Sequence, residues 1–386
     1  MSDRRTDRRA RLASSAIFLA HGLIVATWIS RIPSVETKLS LSHGMLGIAL
    51  LCIAIGSMLA MPVAGALIGR YGSKRCTVVA TLGFCVSLLT LGLAWNPVSL
   101  GVLLVLYGAG AGAMDVSMNS QGVTVETYCG RRVMSGFHAL FSVGGMLGSF
   151  AGGAIAAAGV PVSVHFAASA VVNAMITLSV LPWMLDESHE ASHSDAPMFA
   201  LPRGPVLGMG ALTFCFFLCE GAIADWTAVF LRDALAAGPA AAASGYAAFS
   251  AAMAVGRFAG DAVTERFGPV RVIRVGGVLG AAGLLLVLLA ASLPPALVGL
   301  VATGLGYAAI VPIVFGAAGR LRNVSHGAGI AAVTTMGFTG FLTGPPAIGW
   351  IAEWTSLRFA LGTLVVLSLA GALLAPAVRQ GEADRQ

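Results

Sequence analysis

Charge is what this sequence has least of. Only 10% of its 386 residues are Asp, Glu, Lys or Arg, whereas 57% are hydrophobic. A soluble domain carries about 25% charged residues, so a large globular enzyme is excluded and an integral membrane protein is implied. Metal-ligand spacing is missing too. The six cysteines (Cys52, Cys76, Cys85, Cys129, Cys215 and Cys219) are scattered, mostly in apolar segments, and only the last two stand four apart. They read as small apolar membrane residues, and no metal or cofactor is expected. There is no phosphate-cradling glycine loop, no nucleophile motif and no loop long enough for a catalytic domain, so no enzymatic activity is expected. Nor is there a basic patch. The formal charge of +6 is spread along the chain, which argues against a nucleic-acid partner.

What the chain has in quantity is apolar runs of membrane length, each span needing about 20 residues. Twelve can be marked, at roughly 12–32, 43–69, 76–95, 98–124, 136–158, 161–182, 205–231, 243–264, 271–291, 293–317, 327–350 and 357–378. Asn96-Pro97, Gly159 to Pro161, Gly238-Pro239 and Pro294-Pro295 punctuate them as turns. The one sizeable connector, 183–204, divides the spans six and six. The expected fold is therefore an all-α integral membrane protein of twelve transmembrane helices in two six-helix bundles. The N-terminal bundle is 1–182, the cytoplasmic linker 183–204 and the C-terminal bundle 205–386. The basic N-terminus leads into a long, polar-interrupted helix without a cleavage site, so it reads as a retained first span and not a signal peptide.

Orientation follows from Lys and Arg. With the N-terminus inside, eighteen of the 23 basic residues fall on the cytoplasmic side, Arg70, Lys74, Arg75, Arg203, Arg266, Arg322 and Arg385 among them. Only Arg31, Lys38, Arg232 and Arg358 fall on the other side, and Arg257 lies within span 8. Both termini are expected in the cytoplasm of a cell with a bacterial-type inner membrane. Trp95, Trp183, Trp350 and Trp354 sit at span ends, as an interfacial belt requires.

The halves repeat. Gly65-Ala-Leu-Ile-Gly69-Arg70-Tyr71-Gly72 at one turn is echoed 196 positions later by Asp261-Ala-Val-Thr-Glu265-Arg266-Phe267-Gly268. Tyr107-Gly-Ala-Gly110 is echoed by Thr303-Gly-Leu-Gly306 at the same offset. His21-Gly22 before Trp28 and Glu220-Gly221 before Trp226 are paired at an offset near 199, which predicts that His21 and Glu220 occupy matching sites. Parallel halves of six spans with a site between them are a transporter architecture.

Span 4 carries the strongest candidate. In Tyr107–Glu126 the residues Gly108, Gly112, Asp115, Asn119, Gly122 and Glu126 recur at steps of three or four and share one helix face. Asp115 lies near the middle of the span. An ionisable group at that depth costs at least about 2.5 kcal/mol, so it should face protein or water. The repeat has Val311 at the matching position. Packing explains a repeated glycine; it does not explain an unrepeated carboxylate.

The turn Gly65-x-Leu67-x-Gly69-Arg70-x-Gly72-x-Lys74-Arg75 resembles the signature of the major facilitator superfamily, with Gly69 where the family has an acidic residue and Glu265 in the equivalent place of the second half. The Gly-rich span 4 with Asp115 and Asn119 is similar to that of the fucose-permease-like branch. Phe137 to Gly145 and Gly337 to Pro346 look like segments of the bacterial inner-membrane protein YbjJ type. The resemblance implies proton-coupled uptake of a sugar or related small polar solute by a monomer in the lipid bilayer, with Asp115 and Asn119 lining the central cavity. Efflux of amphipathic compounds and a non-transporting membrane sensor are the alternatives. Glu220 joins Asp115 as a candidate for proton coupling and for solute contact. His21 is a further solute or proton candidate, and Trp28 and Trp226 are either ring platforms or part of the belt. Arg70 and Arg266, with Glu126 and Asp261, are candidates for an inner gate.

Overall fold

A computed structural model describes residues 4–186, 206–321 and 326–379. Most of the expected linker, 187–204, lies outside the described residues, as do Arg203, Arg322 and Arg385. Among the described residues the chain is helical, without strands. The helices are α1 (Arg4–Leu39), α2 (His43–Tyr71), α3 (Ser73–Leu91), α4 (Pro97–Cys129), α5 (Met134–Ala157), α6 (Val162–Val180), α7 (Val206–Leu235), α8 (Pro239–Phe267), α9 (Pro269–Leu289), α10 (Leu293–Tyr307), α11 (Ile310–Ala318), α12 (His326–Trp354) and α13 (Leu357–Leu373). They correspond to the twelve expected spans with one difference: span 10 is broken at Ala308-Ala309 into α10 and α11. Among the described residues ten stretches are long and apolar enough to cross a bilayer. The alanine-rich α8, which carries Arg257, Asp261, Glu265 and Arg266, and α12 are not among them; α8 packs against α5.

Helix ends follow local chemistry. Asn96 caps α4 by accepting from Ser99 N–H at 2.7 Å, and Ser99 Oγ accepts in return from Asn96 N–H, a reciprocal cap just before Pro97. Gly72 and Gly268 turn their chains at φ 80° and 77°, a region in which a Cβ is strained. Those two glycines stand 196 positions apart. So do Ser40 and Ala236, both at φ 50°.

α1–α6 form one six-span bundle and α7–α13 the other. The repeat extends into their packing. A Cβ on Gly108 would strike the Ile53 carbonyl of α2, and one on Gly304 would strike the Phe249 carbonyl of α8. A Cβ on Gly144 would meet Leu19 O of α1, and one on Gly340 would meet Phe214 O of α7; Gly148 on Leu23 O and Gly344 on Leu218 O complete the set. Small residues let backbones approach where lipid removes the ordinary hydrophobic drive between helices. Gly108→Ala should therefore force α2 and α4 apart and cost about 1–3 kcal/mol, as overpacking does. A lowered thermal midpoint in detergent checks this, with Gly69→Ala, where nothing lies within 4 Å of a new Cβ, expected to melt close to the wild type.

This register corrects the pairing of His21 with Glu220. α1 and α7 superpose at an offset of 195, from Leu19 with Phe214 and Leu23 with Leu218. The counterpart of His21 is therefore Phe216, and that of Glu220 is Val25. Shared Gly and Trp residues aligned the two helices about one turn out.

The two ends of the bundles differ. The face with the chain termini is here the terminal face, and the opposite one the far face. At the far face and into the middle, α1 meets α7, α2 meets α12 and α5 meets α8 across the halves. Hydrogen bonds and ion pairs join the halves at the far face, where Arg232 of α7 meets Pro33, Glu36 and Thr37 of α1 and Asp233 meets His43 of α2, and that face is closed.

Candidate functional site

The interior candidates fall into three groups. The first is on α4, where Asp115 is half-buried. Asn119, one turn on, donates from Nδ2 to Asp115 O at 2.8 Å and to Asp115 Oδ1 at 3.2 Å. Among the described residues Asp115 has no cationic partner. Gly108 and Gly112 of the same face seat α4 on α2, with Ser57 Oγ donating to Gly108 O at 2.7 Å, and Gly122 lies against Met134 and Phe137 of α5. The glycine groove thus serves helix packing, and the carboxylate follows it in sequence on the same face.

The second group crosses between the bundles. Arg257 of α8 donates from Nη2 to Glu220 Oε1 of α7 at 3.3 Å. From Nη1 it donates to Ser142 Oγ at 2.7 Å and His138 O at 3.4 Å, both on α5 of the other half. Arg257 stands ten residues from the terminal end of α8, about 15 Å along the helix, well inside the hydrocarbon region. The side chains of Arg257 and Glu220 are 13% and 22% exposed, so both keep some access to solvent. Tyr246 and Tyr307 are in electrostatic reach of Glu220. Asp225, half-buried one turn further along α7, is in reach of Tyr107 and Tyr246. Glu220 therefore belongs to a network shared by both bundles, whereas Asp115 belongs to one helix.

Arg257 entered the sequence reading only as a topology count. An arginine in the middle of an apolar segment was itself the signal, since such a charge is retained only with a partner. Ser142 gave no signal of its own.

The third group is the aromatic interior around His21. It is 5% exposed, lies 5.7 Å from the Phe84 ring and 5.3 Å from that of Phe141, and neither ring nitrogen has a hydrogen-bond partner. Trp28 and Trp226 are enclosed, at 2% and 0% exposure. Trp28 lies against Tyr107 and Phe166, and Trp226 against His43. The belt reading of these two tryptophans does not hold: both face protein, and in this conformation their rings pack the cores. Trp95, Trp350 and Trp354, at 74%, 70% and 80% exposure, and Trp183 at 39%, do present themselves at the surface.

The four cations expected away from the termini have structural work. Arg31 donates to Val160 O, Lys38 to Ala94 O at 3.0 Å and Arg358 to Leu288 O. Arg358 closes the carbonyl end of α9, where a cation also meets the negative end of the helix dipole, and Arg31 and Lys38 hold carbonyls of the turns that follow α5 and α3. Arg232 is engaged differently, with carboxylates at the far face.

Of the inner-gate candidates, Arg70 and Arg266 end α2 and α8 and lie over their neighbours Tyr71 and Phe267, at 5.2 and 5.4 Å from the ring centres. Both are exposed, as is Asp261. Glu126 is used elsewhere: its Oε2 accepts from Val133 N–H at 2.7 Å and Met134 N–H at 3.1 Å, closing the N-terminus of α5. The structure does not bring these four residues together.

Comparison with known proteins gives this arrangement its context. The family model described as Major Facilitator Superfamily matches residues 13–230 and 209–385. The chain is 38% identical over 363 residues to an uncharacterized MFS-type transporter of Yersinia pestis, covering 94% of each chain. It is 35% identical to the uncharacterized transporter y4wD of Sinorhizobium fredii, over 95% of this chain and 97% of that one. Among solved structures it resembles a bacterial homolog to the human lysosomal transporter Spinster in an inward-facing and occupied conformation, with a TM-score of 0.79 at 15% identity, covering 100% and 99% of the two chains. The twelve spans, the repeated halves and these matches together place the chain in the major facilitator superfamily, to which it belongs.

Proposed function

We propose that the protein is a proton-coupled symporter that takes up a small polar solute, a sugar or related organic molecule, by alternating access. The terminal face is cytoplasmic on this reading, and the membrane is a bacterial-type inner membrane. The division of labour between two carboxylates carries the proposal. Asp115 has no cation, so in a closed and weakly hydrated form it is held most cheaply as the neutral acid. Glu220 has Arg257 and keeps its charge compensated. Asp115 is the proton carrier, Asn119 a solute contact beside it, and Glu220 with Arg257 a second polar group, on the other bundle. His21, buried without a hydrogen-bond partner, is a secondary candidate for either role. Solute and proton then favour the same conformations, and their coupling is reciprocal.

The test begins with a thermal-stabilisation screen of the purified protein against sugars and small organic molecules. It continues in liposomes, with pH-driven uptake measured beside counterflow. Solute-dependent counterflow without any effect of a pH gradient would remove the proton from the scheme. Ligand binding without counterflow would leave a sensor.

The inner gate forms part of the same reading. Arg70 and Arg266 close the cytoplasmic face by meeting helix ends and carboxylates, Asp261 among them, when the halves tilt. Neutralising Arg70 should shift the balance of inward- and outward-open forms and leave solute affinity within each form little changed. Accessibility labelling from the two faces measures that balance, and no change would discard this gate.

A further inference from the structure

Two ion pairs join the halves side by side on the far face, Arg232 with Glu36 and Asp233 with His43. Glu36, in the last turns of α1, is 5% exposed, and its guanidinium partner comes from the other half: Arg232 of α7 donates from Nη2 to Oε2 at 2.6 Å. Arg232 Nη1 reaches Pro33 O at 3.1 Å and Thr37 Oγ1 at 3.4 Å, so the fork grips the end of α1. Its Nε is braced by Asp233 Oδ1 at 2.6 Å. His43, which opens α2, places Nε2 at 3.2 Å from Asp233 Oδ2 and 3.8 Å from Glu36 Oε1, with its ring edge-on to Trp226. From α12, Glu353 Oε2 accepts from Gly44 N–H at 2.8 Å.

We propose that this cluster is the far-face gate: Arg232 and Glu36 latch it shut, and a proton on His43 tightens it. Separating the halves removes from Glu36 the guanidinium that makes its burial tolerable. Loss of one partner of a buried pair is costly because the other charge stays uncompensated. His43 faces two carboxylates, Glu36 from α1 and Asp233 from α7, with Glu353 of α12 nearby; the opposing cation is Arg232. Only the closed form assembles these groups, so protonation of His43 and closure favour each other by linkage. Acid on the far side therefore drives the carrier toward the form open at the terminal face. This proposal needs neither a known solute nor a role for Asp115.

The test reads conformation directly. In the full chain with its native cysteines replaced, spin labels go on A158C and A291C, exposed positions near the far ends of the two halves. Distances are measured by pulsed electron resonance in liposomes. The wild type should show mainly the short distance, and more of it at pH 5.5 than at pH 7.5. Arg232→Gln should raise the ratio of long to short by about tenfold or more, the scale of breaking a buried pair, and adding Glu36→Gln should reverse part of that change. Arg232→Lys keeps the charge without the fork; it should move the ratio the same way by less, and it keeps the test available if the Gln variant does not fold. His43→Gln should abolish the pH response. A wild-type distribution in both Arg232 variants overturns the latch. A pH response that survives in His43→Gln, or is absent from the wild type, overturns the role of His43.

Discussion

Asp115→Asn should abolish accumulation driven by a pH gradient and leave counterflow of the same solute intact. The substitution keeps nearly the size of the side chain and an acceptor for Asn119 Nδ2, which now bonds both the backbone and side-chain oxygens of Asp115. It removes only the group that can exchange a proton. One pH unit across the membrane is worth about 1.4 kcal/mol per proton, or about tenfold in concentration. A one-to-one carrier of a neutral solute, with the membrane potential clamped at zero, should therefore accumulate about tenfold in the wild type and stop at equal concentrations in the variant. Exchange of labelled for unlabelled solute needs no net proton movement, so it should persist. Continued accumulation by Asp115→Asn would move the coupling proton elsewhere, to Glu220 or His21.

The second large effect is on Arg257. Arg257→Gln leaves the Glu220 carboxylate in the membrane interior without the guanidinium that now stands at 3.3 Å. Breaking a buried pair from one side costs about 3–5 kcal/mol; because both side chains keep some exposure, about 2–3 kcal/mol is expected here. Glu220→Gln should be milder, because Arg257 retains Ser142 Oγ at 2.7 Å and the His138 carbonyl. The double variant should be more stable than Arg257→Gln alone, since no unpaired charge remains. Thermal midpoints of the four proteins in one detergent decide the matter. If the double variant melts no higher than Arg257→Gln, the loss lies in packing around the guanidinium and not in the orphaned carboxylate.

The fold was legible because membrane spans declare themselves by composition, and because the repeat left paired glycines. Gly72 and Gly268 matched in sequence and match again in backbone conformation. Span ends were read short: α1 runs to Leu39 and α7 to Leu235, where Glu36, Lys38 and Arg232 look polar in sequence but find partners on neighbouring helices. The break at Ala308-Ala309 had no mark, since alanine is a good helix former and local sequence does not encode the interruption.

The site was legible where it rests on one helix and not where it spans two. Asp115 and Asn119 stand four apart, and helical spacing alone joins them. Arg257, Glu220 and Ser142 come from α8, α7 and α5, and no periodicity within a segment connects 142 with 257. The same limit applies to Glu36, His43 and Arg232. The pairing of His21 with Glu220 failed for a related reason: similar short motifs aligned two helices that the glycine contacts superpose in a different register.

Between Arg257 and the far face, the contact between α5 and α8 is built mainly from small residues. Gly153 lies on Ala240 and Ala243, Ser149 Oγ donates to Ala243 O at 2.8 Å, and Gly145 lies on Ser250. From Gly145 to Gly153 that is about 12 Å of membrane depth. Small residues let the two backbones approach this closely. The halves can therefore part here as two smooth surfaces, because glycine and alanine have no side-chain rotamers to rearrange.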